Sequence, residues 1–237
     1  MRAPQSDLPI HFARVTVATG SVTILKDVEM TLSGGDPTVL IGPNGSGKTT
    51  LLRVAMGLLA PTGGQVTWGG RSDVPPERRA ILFQRPVMLR RTAGANIRYA
   101  MHGAATVRQN RVSELLRLVG LAAFEDRPAR RLSGGEQQRL GFARALAREP
   151  EVLFLDEPAA SLDPAATKSI EDLIREVASQ GIKIVMTTHD LAQARRLAGN
   201  IVMLHRGSIV ETGDAQSFFT APQSNAARRF LAGELLV

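Results

Sequence analysis

Two hydrophobic rhythms divide the chain, one of period two and one of three to four, and together they place most of its elements. Ile10 to Val17 and Val22 to Leu32 alternate loosely between apolar and polar positions around Thr19-Gly20-Ser21, as two antiparallel strands joined by a turn would. Gly34-Gly35-Asp36-Pro37 breaks that pattern before a short apolar run, Val39-Leu40-Ile41. A helix follows through Leu51, Leu52, Val54 and Met56. Pro61-Thr62-Gly63-Gly64 turns the chain, and Gln65 to Trp68 and Ala80 to Phe83 read as two more short strands.

From about Gln84 to Arg131 the helical rhythm takes over. Ala93 to Met101 and Val107 to Val119 are predicted helices, the second with Val112, Leu115, Leu116 and Val119 on one face. This stretch, with the helix after it to about residue 148, is expected to be a helical subdomain inserted into a sheet. Strand and helix then alternate: strand Val152 to Leu155, helix Pro164 to Ser179, strand Ile182 to Thr187, helix Asp190 to Leu197, and strands Ile201 to Leu204 and Ser208 to Glu211. Such alternation favours an α/β fold with a mostly parallel sheet, here joined by a small antiparallel β subdomain and the helical insert. A single domain over residues 1–237 is expected.

Composition narrows the class. The 237 residues, 43% hydrophobic, can bury one substantial core. No apolar run approaches the roughly 20 residues that span a bilayer, and Met1-Arg2-Ala3-Pro4-Gln5-Ser6-Asp7 lacks the apolar centre of an export signal. The expectation is a cytoplasmic protein, and the absence of cysteine agrees with a reducing compartment. The net charge of +7 is spread over scattered arginine pairs, and aromatics make up only 4%, too few for a base-stacking platform. No nucleic-acid partner is expected.

Chemistry concentrates after Val39-Leu40-Ile41, where Gly42-Pro43-Asn44-Gly45-Ser46-Gly47-Lys48-Thr49 matches the phosphate-binding loop pattern in full. Its glycines allow successive N–H groups to turn toward a phosphate. Lys48 brings a charge to the β- and γ-phosphates, Thr49 offers a hydroxyl to Mg²⁺, and the helix that begins about here presents its positive end to the same anion.

The continuous apolar run Val152-Leu153-Phe154-Leu155 ends in Asp156-Glu157. Alone, such a pair is more often a helix cap or a surface pair. In an open α/β sheet, however, the carboxyl ends of the strands face the ligand crevice, which would bring both carboxylates beside the phosphate loop. Asp156 is then placed to hold Mg²⁺, and Glu157 to act as general base on a water in line with the γ-phosphate. His189, after the strand ending at Thr187, stands where a γ-phosphate would be. Gln84 follows its own strand, and its amide can bind the metal or the attacking water while starting the helical insert. Leu132-Ser133-Gly134-Gly135-Glu136 reads both as a capping box between Ser133 and Glu136 and as a second anion site at a helix start.

These segments together resemble the ATP-binding cassette family of transport ATPases from about residue 8 to about 215. Gly42 to Thr50 is similar to its phosphate loop, Gln84 to its glutamine loop and Leu132 to Glu136 to its signature. Val152 to Glu157 resembles its magnesium strand with catalytic glutamate, Ser161-Leu162-Asp163 its subunit-contact loop and His189 its switch histidine. The resemblance implies ATP and Mg²⁺ as cofactors and a head-to-tail pairing with a second copy. In that pair, ATP on Lys48 of one copy meets Ser133 and Gly135 of the other, with Gly134, Glu136 and Asp163 beside them.

One departure stands out: Thr19 falls where the family usually stacks an aromatic on adenine, and Phe12 is the aromatic nearest in sequence. The resemblance further implies an importer's ATPase at the cytoplasmic face of the inner membrane, with separate transmembrane permease subunits and, indirectly, a periplasmic substrate-binding protein. A soluble cassette acting on DNA or ribosomes generally has a coiled-coil insert or two cassettes in one chain, and neither is seen here. An exporter is a further reading. The segments Phe83 to Arg91 and Glu157 to Asp163 are similar to those of tungstate importers, with phosphate, molybdate and polar amino acid importers as alternatives. The chain is expected to end soon after its last strand, without an appended regulatory barrel.

Overall fold

The early alternation becomes two antiparallel strands, β1 (Ile10–Thr19) and β2 (Val22–Leu32), paired from Ile10 with Leu32 to Thr19 with Val22. The computed structural model describes residues 6–101, 105–234 and 236, and of 105–108 the backbone alone. Residues 1–5, part of the segment expected to lack an export signal, lie outside these, as does the side chain of Val107. Strand β3 (Thr38–Ile41) is buried throughout and leads into helix α1 (Lys48–Met56). Strand β4 (Gly63–Trp68) returns to the free edge of β1, closing a three-stranded sheet of order β2-β1-β4.

Strand β5 (Arg79–Leu82) precedes helices α2 (Ala93–Ala100), α3 (Ala105–Leu118) and α4 (Gly134–Leu146), which pack against one another. There follow β6 (Val152–Asp156), α5 (Pro164–Ser179), β7 (Lys183–Thr187), α6 (Leu191–Leu197), β8 (Asn200–His205) and β9 (Ser208–Asp214). Helices α7 (Ala215–Thr220) and α8 (Asn225–Leu231) complete the described elements. The six-stranded sheet has the order β5-β6-β7-β3-β8-β9, parallel except for β9.

Period-two alternation sorts this sheet's side chains into two cores. Leu40, Phe154, Val185 and Val202 face the antiparallel sheet and α1. Their neighbours Val39, Leu153, Ile184 and Ile201 face the other helices. A strand apolar on both faces reads as a continuous hydrophobic run, which is why β3 and β6 were so plain in the sequence. The register sets Asp156 beside Thr187 and Leu40 beside the same residue, so β3, β6 and β7 end together under the phosphate loop.

Two sequence expectations need correction. Strand β5 stops at Leu82 rather than at Phe83, which is 38% exposed, while α2 begins at Ala93 as expected, where the Thr92 side chain accepts the Ala95 N–H. The final strand runs to Asp214 rather than Glu211, and two helices follow it, capped by Asp214 and Ser224.

A buried ion pair fastens the segment before β1 to the sheet. Arg79, at the start of β5, lies 3.0 Å from Asp7, and both side chains are almost wholly buried. The guanidinium stacks on Trp68, 4.4 Å from the ring centroid, and Arg71 reaches the same carboxylate at 3.0 Å. Burial pushes the Asp7 carboxyl above its ordinary value, against the pull of Arg79 and Arg71.

Candidate active site

The loop from β3 to α1 has its shape because Cβ atoms are absent at two places. A Cβ on Gly42 would run into the carbonyl oxygen of Leu204. Gly47 caps α1 at φ 103°, in the left-handed region, and a Cβ there would come within 2.8 Å of Leu25. From outside, the turn between β8 and β9 braces the loop. Gly207 N–H donates to Ser46 O at 3.1 Å, and Gly207 O accepts Lys26 N–H from β2 at 2.8 Å. Ser46 Oγ is buried and has no hydrogen-bond partner among the described residues, which fits a loop whose inner groups are meant for a ligand.

Lys48 is buried and folds back on the loop, donating to Gly42 O at 2.9 Å and Pro43 O at 3.0 Å. Burial pushes its ammonium below the ordinary lysine value, while Glu157 and Asp156 pull it back up. A phosphate arriving at the loop would offer this charge a stronger acceptor than two carbonyls. Asn44 and Gly45 are exposed at the loop's tip, and Pro43 and Thr50 are half-buried.

Asp156 sits at the end of β6, 7% exposed, and its Oδ1 accepts two hydroxyls: Thr49 at 2.9 Å and Thr187 at 2.8 Å. The Thr187 oxygen also accepts Glu157 N–H at 2.9 Å. Glu157 itself stands at φ 46°, an uncommon conformation for a residue with a side chain, and its Oε2 lies 3.2 Å from His189 Nδ1. Thr49, Asp156, Thr187, Glu157 and His189 therefore form one connected set. Thr187 was not singled out in the sequence. Its signal is positional, a hydroxyl at the end of an apolar strand that pairs in register with the strand of Asp156.

Among the described residues there is no group of three or more His, Asp or Glu side chains able to hold a metal. A hydroxyl and one carboxylate suit Mg²⁺ nonetheless, since that ion is commonly bound by one or two carboxylates together with the substrate's phosphates and water.

Among the described residues, the remaining sequence-predicted ones share no hydrogen bond with that connected set. Ser133 and Glu136 form the capping box: Glu136 Oε2 accepts Ser133 N–H at 2.7 Å, and Ser133 Oγ accepts Glu136 N–H at 3.3 Å. With Gly134 and Gly135 they line a cavity of about 470 Å³ shared with Ser161, Leu162 and Asp163, and no phosphate-loop residue lines it. Asp163 caps α5, accepting the N–H groups of Ala165 and Ala166 at 2.9 Å each. Gln84 is exposed in the segment before α2. Phe12 is fully buried in the core of the antiparallel sheet, so it does not take the place of an aromatic at Thr19, which is exposed at the end of β1.

Fold and site together define a phosphate-loop ATPase. The chain belongs to the ABC transporter family, which it matches over residues 25–160. It is 36% identical to the phosphate import ATP-binding protein PstB 2 of Natronomonas pharaonis, over 94% of this chain and 86% of that one. Identity is 35% with the Fe(3+) ions import ATP-binding protein FbpC of Pasteurella multocida, over 92% of this chain and 65% of the relative. It is 40% with the molybdenum import ATP-binding protein ModC of Mycobacterium tuberculosis, over 89% and 62%. The chain thus spans less than two thirds of those last two. Among solved structures, cbiO1 from Clostridium perfringens, part of the ABC transporter complex cbiONQ, superposes with a TM-score of 0.83 at 26% identity, covering 91% of this chain and 92% of that one. The cassette MJ0796, solved as a dimer in a post-hydrolysis state with ADP and Pi, gives 0.79 at 28% identity over 87% and 98%.

Proposed function

We propose that this chain is the ATP-hydrolysing subunit of an importer, working as a head-to-tail pair at the cytoplasmic face of the membrane against separate permease subunits, and that the imported substrate is tungstate delivered by a periplasmic binding protein. The hydrolytic part of this reading rests above all on Asp156 Oδ1. It gathers the hydroxyls of Thr49 and Thr187 while Glu157, the next residue, reaches His189.

In this reading the N–H groups from Gly42 to Thr50, with Lys48, hold the phosphates. Thr49 and Asp156 would hold Mg²⁺, which when bound would supply positive charge to offset that of the phosphates. Glu157 takes the proton of the attacking water, and His189, within reach of its carboxylate, orients it and meets the γ-phosphate. Ser133 to Glu136 and Asp163 line a cavity of their own, which supports their serving the nucleotide of a second copy. The dimeric solved relative with ADP and Pi supports the same pairing. Gln84 is exposed two residues beyond Leu82, which pairs with Leu155 next to Asp156, and this supports its amide serving the metal or the attacking water. Among the described residues no helix is long and apolar enough to cross a membrane, in keeping with membrane spans on other chains.

Tungstate rests on the likeness of Phe83 to Arg91 and Glu157 to Asp163 to the ATPases of such importers. The names of the relatives favour a second reading, phosphate or molybdenum import. The deciding experiment reconstitutes the subunit with its permease and measures ATP hydrolysis with the binding protein loaded in turn with tungstate, molybdate and phosphate. Stimulation by tungstate is the expected result. Stimulation by phosphate or molybdate alone would transfer the assignment to that oxyanion.

A further inference from the structure

Glu171 is a carboxylate buried on α5 that the proposed hydrolysis does not use. Arg196 of α6 grips it with both arms of its guanidinium, Nε to Oε2 at 2.9 Å and Nη2 to Oε1 at 2.6 Å. Gln193 of α6 donates to Oε1 at 3.4 Å, and Arg175 stands 3.7 Å from Oε2. The Glu171 side chain is only 5% exposed, against 45% for Arg196. A planar fork on a planar carboxylate fixes orientation as well as distance, so this pair sets how α5 and α6 stand to each other. It spans a groove of about 530 Å³ whose walls include Leu162, Glu171, Asp190 and Arg196. Both helices also contribute to one apolar core, α5 through Ile170 and Ile174 and α6 through Ala194 and Leu197, and the fork adds a directional tie at its margin.

Both helices start immediately after residues of the candidate site. Helix α5 begins at the Asp163 cap, two residues after Ser161, which has φ 65°. Helix α6 begins at the Asp190 cap, one residue after His189, and Asp190 Oδ1 accepts the N–H groups of Ala192 at 2.8 Å and Gln193 at 3.1 Å. Gln193 thus belongs to the cap through its backbone and to the Glu171 cluster through its side chain. Hydrogen bonds link Glu171 to Gln193 and Gln193 to Asp190, the residue that follows His189, and His189 reaches Glu157.

We propose that Glu171 and Arg196 are positioning residues for ATP hydrolysis. Their fork holds α6, and with it His189, within reach of Glu157, and ties that placement to the Ser161 to Asp163 loop at the head of α5. The inference rests on the reading of Glu157 and His189 as the hydrolytic pair, to neither of which Glu171 or Arg196 is hydrogen-bonded.

The test uses the full chain with Arg196→Met, Arg196→Lys and Glu171→Gln, measuring kcat, the ATP dissociation constant and the thermal midpoint. The expected result for Arg196→Met is a fall in kcat of about tenfold with ATP affinity within about twofold of the parent, because Lys48 and its loop are untouched. Arg196→Lys keeps one charged donor and should recover part of the rate, and Glu171→Gln should behave like Arg196→Met. A lowered thermal midpoint with kcat within about twofold of the parent in these variants would reduce the fork to a purely structural tie and overturn the inference. Parallel loss of kcat and ATP affinity would also overturn it, by placing the effect on the nucleotide loop. Normal turnover in Glu157→Gln would instead strike at the hydrolytic pair itself.

Discussion

Thr187 donates its hydroxyl to Asp156 Oδ1 at 2.8 Å and accepts the Glu157 N–H at 2.9 Å, so one side chain orients both carboxylate residues at the end of β6. Thr187→Val keeps the shape and removes both bonds, leaving Asp156 with the Thr49 hydroxyl alone and the Glu157 N–H without its acceptor. Each such group costs about 1–3 kcal/mol when unsatisfied. Urea unfolding should show a loss of that order and kcat should fall, with Thr187→Ser restoring most of both. Parent-like stability in the valine variant would mean that neither bond matters to the fold.

Glu157→Gln retains the shape and the hydrogen-bonding capacity of the side chain but cannot take a proton from water. Phosphate release should drop by at least about a hundredfold, while ATP holds two copies together on size-exclusion chromatography. Lys48→Ala should prevent both ATP binding and pairing. Near-normal turnover in Glu157→Gln would remove it as the base. Lost turnover without an ATP-dependent dimer would leave the base in place and weaken the pairing of isolated subunits.

The capping box predicts a pH dependence. The Ser133 N–H holds the Glu136 carboxyl below its ordinary value of 4.5, with partial burial opposing. A carboxyl depressed in the folded state contributes stability that is fully present above its unfolded value and is lost as pH falls through the folded one. Thermal midpoints of the parent should therefore decline below about pH 4.5, and Glu136→Gln should flatten part of that decline. Superimposable acid limbs would show that the charge on Glu136 contributes nothing beyond the cap.

For the Asp7 and Arg79 pair the prediction is an asymmetry. Asp7→Ala leaves a fully buried guanidinium without its carboxylate and should cost about 3–5 kcal/mol. Replacing the pair together, Asp7→Leu with Arg79→Met, should recover much of the loss. If Asp7→Ala costs less than about 1 kcal/mol, Arg79 is held well enough by Val74 O, which it already reaches at 2.6 Å, and by the face of Trp68.

Thr19 is exposed and offers adenine no ring to stack on. Thr19→Tyr should strengthen ATP binding by roughly 1 kcal/mol, and the parent should discriminate only slightly between ATP and GTP. Calorimetric titration with both nucleotides checks this, and unchanged affinity in the tyrosine variant would show that the base lies elsewhere.

Much of this architecture was legible because the chemistry is local. Val39 to Ile41 and Val152 to Leu155 are apolar on both faces, and the polar residues that follow them fall at the strand ends where a ligand crevice must be. The Ser133 and Glu136 box is written within four residues. Other features depend on partners far away in the chain. Thr187 matters through the register of β6 with β7, Arg79 through Asp7, and Glu171 through Arg196. The strand end at Leu82 was missed because Phe83 is apolar yet exposed, and α7 and α8 are too short to display a helical period.

The brace of Gly207 on Ser46 and Lys26 has a consequence for how the protein is made. The nucleotide loop lies in the first quarter of the chain, but one of its walls is a turn that leaves the ribosome only when most of the remainder has been synthesised. A nascent chain that ends before Gly207 carries the whole phosphate-loop sequence without this outer support, so the loop's sequence is complete long before its full set of hydrogen bonds is.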